Sequence, residues 1–84
     1  MIKAYRGTCI GVIITGYSYT GEIIKTNKKS IRVHLNHFTK TEGEKVVIDR
    51  ECNITETFTF WKNREDNGNA IYKNQLYGKI ELTK

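Results

Sequence analysis

Apolar and polar residues alternate most clearly over residues 19–35, YTGEIIKTNKKSIRVHL. Ile31, Val33 and Leu35 take every second position, with Arg32, His34 and Asn36 between and after them. A period of two marks a strand with one face buried and the other in water. Ile23 and Ile24 precede a turn at Asn27-Lys28-Lys29, where Asn tolerates the positive φ that hairpin turns need. The stretch predicts a β-hairpin with a cationic tip: Lys25, Lys28, Lys29, then Arg32. Its register is ambiguous. A turn at Asn27-Lys28 opposes Ile24 to Ile31 but also Glu22 to Val33; a shift of one residue opposes Ile23 to Val33 but also Lys25 to Ile31. A slip flips faces, so a bulge near Gly21 is the expected resolution.

The remaining segments predict further short strands. Residues 1–7 read as a lead-in or short edge strand, with Tyr5 packed on the fold. Residues 8–15, TCIGVIIT, are β-branched and nearly continuous in apolar character, which fits a strand covered on much of both faces. Gly16 ends it, and Tyr17-Ser18-Tyr19 connect onward. Residues 36–44, NHFTKTEGE, read as a polar loop around Gly43. Residues 45–49 form the next strand, and Asp49-Arg50-Glu51 turn or bulge before residues 52–54. Residues 55–61, TETFTFW, alternate cleanly, with Phe58 and Phe60 toward the core and Trp61 away from it. Residues 62–69, KNREDNGN, carry the strongest loop signal. Residues 70–76, AIYKNQL, leave room for one short helical turn near residues 70–75, capped by Asn69. Residues 78–83, GKIELT, close the chain as a strand with Ile80 and Leu82 inward. The expectation is one all-β domain over residues 1–84, with five to six antiparallel strands curling into a small barrel that removes exposed edges.

Residues 12–33, VIITGYSYTGEIIKTNKKSIRV, resemble the KOW-type element of SH3-like barrels. There a strand ends at a glycine, a short loop reaches another glycine, and a hairpin follows. Gly16, Gly21, Ile23, Ile31 and Val33 occupy the matching places. Two departures stand out. Tyr17 and Tyr19 crowd the loop, and Glu22-Ile23-Ile24 stand where a further glycine is usual. The resemblance implies an SH3-like barrel and, since KOW-containing barrels often occur in ribosomal and transcription-associated proteins, contact with RNA or DNA. The segments TFTFWK and YGKIEL are similar to short uncharacterised proteins of Gram-positive bacteria and their mobile elements.

Composition sharpens this picture. A chain of 84 residues buries little core, so surface binding is easier to build than an enclosed catalytic cavity. Proline is absent, which leaves the turns to Gly, Asn and Thr. The formal net charge of +5 favours polyanions as partners. The longest apolar run, residues 9–14, is too short to span a bilayer. Lys3 and Arg6 precede it, but no adequate hydrophobic region or cleavage site follows, so a cytoplasmic protein with no membrane partner is expected. Cys9 and Cys52 are then expected to be reduced.

Cations that neutralise phosphates beside aromatics that stack bases are what nucleic-acid contact requires. Lys25, Lys28, Lys29, Arg32 and His34, with Trp61, Tyr17 and Tyr19, are the candidate residues. No metal site is expected: His34 and His37 are three apart, which sends them to opposite faces of a strand, and neither Cys has a partner in CxxC spacing. No cofactor or enzymatic activity is expected either, since no phosphate-cradling glycine motif occurs and nothing local activates Cys52. The alternative is a protein-interaction module, a monomer or weak dimer, that takes up a peptide or subunit by strand addition.

Overall fold

The computed structural model describes residues 4–14 and 16–83. Residues 1–3 of the expected lead-in and Thr15 of the first expected strand lie outside the described residues. Six strands follow in order: β1 (Cys9–Ile14), β2 (Tyr17–Thr26), β3 (Ser30–Glu42), β4 (Lys45–Asn63), β5 (Ala70–Asn74) and β6 (Gly78–Leu82). Each pairs antiparallel with its chain neighbours, giving one six-stranded meander. Among the described residues there is no helix.

The expected barrel closure does not occur. The sheet coils until β1 and β6 pack against each other, yet they share no ladder. Side chains fill the seam instead: Ile10 and Val12 from β1 join Ile80 and Leu82 from β6 in one core cluster. The centre of that core is Ile23, Ile31, Val33, Leu35 and Phe58, all fully buried.

β4 shapes the rest. Its 19 residues would span roughly 60 Å if fully extended, at ~3.3 Å per residue. The longest dimension of the molecule is 38 Å, so the strand must bend. It does so at three irregularities. Val47 is extra between the pairs Lys40–Ile48 and Thr41–Val46. Cys52 and Asn53 together face Asn36 alone. Trp61 is extra between Phe60–Tyr72 and Lys62–Ile71. An added residue bends a strand and increases its local twist. The expected turn at residues 49–51 is therefore absent; β4 runs through it and bulges just beyond.

Bulges also settle the central hairpin. Ile23 faces Val33 and Lys25 faces Arg32, leaving Ile24 as the extra residue. The apolar pair stays inside and the cationic pair outside, which neither unbulged register achieves. The turn is the expected Asn27-Lys28-Lys29: Thr26 opposes Ile31, and the Asn27 N–H donates to the Ser30 carbonyl at 2.8 Å, with Lys28-Lys29 at the tip. A second shift falls at Gly21, as anticipated, with Asn36 extra on β3. The backbones approach closely there. A side chain on Gly21 would collide with the His34 carbonyl oxygen and would lie 2.8 Å from the Leu35 Cα.

Four further expectations change. Residues 36–42 are strand rather than loop, because Phe38 stacks on Tyr19 at 5.5 Å between centroids and anchors this half of β3. Residues 70–74 are strand rather than helical turn. A helix of five residues has no nucleation advantage, whereas the strand gains ladders on both sides. β1 is buried on one face only, with Ile13 80% exposed, and Tyr5 lies in water. Phe58 and Phe60 do both face inward: Phe58 is fully buried, and Phe60, opposite core Tyr72 and packed edge-on against it at 5.5 Å, stays 37% exposed.

Gly21→Ala should lower stability by about 1–3 kcal/mol, a fall in Tm of roughly 5–20 °C, as overpacking against fixed backbone does. Gly11→Ala is the control, since its nearest neighbour, the Tyr19 carbonyl oxygen, is 3.7 Å from the added carbon. Equal Tm values for the two variants would refute the close approach. In urea, Phe58→Ala should cost about 3–5 kcal/mol and Phe60→Ala distinctly less; the reverse order would contradict the difference in their burial.

Candidate nucleic-acid interface

The bulge at Trp61 sets the site. Trp61 follows inward-facing Phe60 and so points to the outer face by alternation; the bulge leaves it without a ladder partner and keeps Lys62 on the same face, and Trp61 stays 42% exposed. β5 and β6 alternate beside it. Tyr72 and Ile80 face each other in the core, so the next pair, Lys73 and Lys79, faces outward. Lys73 Nζ lies 3.7 Å from the centroid of the Trp61 ring, Lys62 Nζ 4.4 Å and Lys79 Nζ 4.7 Å. The negative face of the indole attracts each ammonium by about 0.5–1 kcal/mol at an exposed site.

Like charges directly opposed across a sheet are destabilising. No two of these ammoniums are further apart than about 9 Å, the sum of the two longer distances. That is close to the ~8 Å screening length at physiological salt, so they repel one another. Among the described residues no carboxylate comes within 4.0 Å of Lys62, Lys73 or Lys79; the ion pairs lie elsewhere.

Two of the nearby acids, Asp66 and Glu81, are held by other partners. Trp61, Lys62, Lys79, Arg64, Asp66 and the buried Ile71 border an open depression of about 480 Å³. Arg64 binds Asp66 at 3.1 Å and Glu81 at 3.2 Å. Asn69, the buried polar residue of the loop, donates its amide to the other oxygen of Glu81 at 2.9 Å. The Asn69 bond, then Arg64, holds the Glu81 carboxyl below its ordinary range, and Arg64 does the same for Asp66. Segment 62–69, expected only as a loop, is thus a fixed network that keeps Asp66 and Glu81 off the lysines.

The hairpin residues reach the same end of the sheet. Lys25 and Arg32 oppose each other on the outer face. The Phe60 N–H donates to the Lys29 carbonyl at 2.7 Å, tying the tip beside Trp61. One rung runs Ser30–Thr59–Lys73–Lys79 across β3 to β6, a width of about 14 Å at ~4.8 Å per strand. Lys25, Arg32, Lys73, Lys79, Lys62 and Trp61 therefore share one face.

Two predicted aromatics do not join them. Tyr19 faces buried Val12 and lies within a cluster with Tyr17, Phe38 and Tyr77 on the inner face. These rings complete the core at the far end. His34 is on the outer face but bonds Asn53 at 2.7 Å. The bulge at Asn36 returns His37 to the same face, contrary to the expected opposite faces, and His37 pairs with Asp49. Among the described residues no group of three His, Cys, Asp or Glu side chains could hold a metal. Cys9 and Cys52 are free thiols. Burial pushes the Cys52 thiol up, opposite to what a nucleophile needs.

Sequence reasoning missed Lys62, Lys73 and Lys79. The signal was present in the order Tyr72-Lys73 and Lys79-Ile80, which alternates once residues 70–74 are read as strand. Comparison of the chain with known protein families, with characterised proteins and with solved structures returns no match.

Asn69→Ala should raise the pH at which Glu81 titrates and leave Asp66 nearly unmoved, read by side-chain NMR. An unshifted Glu81 would contradict the network. Both folded-state values are depressed, so their contribution to stability is complete above the unfolded carboxylate pKa. It is lost as pH falls through the folded values. The Tm of the parent should drop in that acid window, and the variant should lose less.

Proposed function

We propose that this protein is a small non-enzymatic domain that contacts nucleic acid through its outer sheet face. The observation that carries the reading is the group of three lysines around exposed Trp61, without a carboxylate partner among the described residues and continuous with Lys25 and Arg32. A folded chain that tolerates this repulsion gains from an anionic partner, because bound phosphates relieve it. Lys28 and Lys29 extend the face at the hairpin tip, and His34 borders it. Tyr17 and Tyr19 have no part in it. The KOW-like segment adds support through Gly16, whose φ of +84° suits the turn into β2, and through the close approach at Gly21.

A second reading, a module that adds a partner strand, draws on one feature. The outer edge of β1 is unpaired, and its residues, CIGVII, carry no charge to discourage strand addition. A dimer in sedimentation that resists dilution would favour it.

Fluorescence anisotropy with labelled single-stranded DNA, RNA and duplex tests the first reading. Binding should appear below about 100 μM at low salt and weaken steeply as salt rises. Lys25→Ala and Arg32→Ala should each reduce the salt slope by about 0.7 on a single strand. Absence of binding to all three probes in that range rejects the reading.

A further inference from the structure

We infer that the Trp61 platform takes an unpaired base, which makes single-stranded nucleic acid the preferred ligand of the face; this rests on the nucleic-acid reading above. Trp61 points outward by alternation from inward Phe60 and has no ladder partner of its own, so its ring is presented rather than packed away. A base in a duplex has both faces covered by its neighbours. An indole on a sheet surface can stack only on a base that is already free, and such stacking tolerates any base.

The surrounding charges match that ligand. Lys73, Lys62 and Lys79 lie within 4.7 Å of the ring centroid, so phosphates on either side of a stacked base would meet an ammonium without rearrangement of the backbone. The long lysine stems let an ammonium leave the ring as the base arrives, exchanging a cation–π contact for a phosphate. The direction of the strand follows from the acids. Glu65 and Asp66 border the depression on the loop side, and Arg64, which holds Asp66, holds Glu81 as well. A polyanion therefore leaves Trp61 across Lys73 and Thr59 toward Arg32 and Lys25, along the outer rungs, and not over residues 64–69. The platform offers an aromatic face and ammoniums but no fixed acceptor–donor pair to read a base edge, so recognition is independent of sequence.

Trp61 is the chain's single tryptophan, which makes its fluorescence a direct reporter. The titrants are a single-stranded oligonucleotide of mixed sequence, its duplex, and inorganic polyphosphate, which has charge but no bases. The single strand should quench the emission strongly; duplex and polyphosphate should bind with little quenching. Trp61→Ala should weaken single-strand binding by about 10-fold, Trp61→Phe by less, and neither should change the affinity for polyphosphate. Lys73→Gln with Lys79→Gln should weaken all three. Matched thermal unfolding of the Trp61 variants and the parent shows that they are folded. If Trp61→Ala binds the single strand as tightly as the parent, or if polyphosphate quenches as strongly as the oligonucleotide, the stacking platform is wrong while the basic face survives. If nothing binds, the basic face itself fails.

Discussion

An alternation of period two must be kept along a strand that is longer than the molecule that contains it. β4 pairs with β3 through most of its length and with β5 at its end, so its bends position both halves of the sheet. A regular strand of 19 residues would carry Phe58 inward but run out of protein to cover it. Extra residues at Val47, at Cys52-Asn53 and at Trp61 restore the fit by bending the ladder while the core residues between them keep their face. The same device at Ile24 separates Ile23 and Val33 from Lys25 and Arg32. Register irregularities, rather than unusual residues, decide which side chains meet the solvent.

One of those irregularities has electrostatic consequences. Without the bulge, strict alternation would turn Lys62 toward the inner face; the extra residue keeps it beside Trp61, so three ammoniums gather on one ring. The indole offsets part of their mutual repulsion, and Arg64 with Asn69 keeps Glu81 engaged away from them. Attraction to the ring and repulsion among the lysines are both of order 1 kcal/mol or less per contact, so the cluster is close to neutral for stability.

The sequence carried the hairpin, the inward faces of Ile31, Val33, Leu35, Ile80 and Leu82, the bulge at Gly21, and the outward Trp61. Each follows from local alternation or from a glycine. What it hid depended on partners distant in the chain. Residues 36–42 look polar, yet pair on both sides because Phe38 finds Tyr19. Residues 70–74 have a weak pattern, yet become strand once β4 and β6 flank them. That misreading concealed Lys73 and Lys79 as members of the basic face. Tyr17 and Tyr19 were grouped with the cations because a loop was expected where β2 begins, and only the pairing with β1 and β3 turns their rings inward.

The unclosed sheet has a mechanical meaning. Among the described residues five ladders join the strands, and only side-chain packing joins the first strand to the last. Parting β1 from β6 breaks apolar contacts and no main-chain bond, whereas parting any other neighbours breaks both. The molecule thus has a built-in seam. The Trp61 surface lies away from that line, on three strands that ladders hold together.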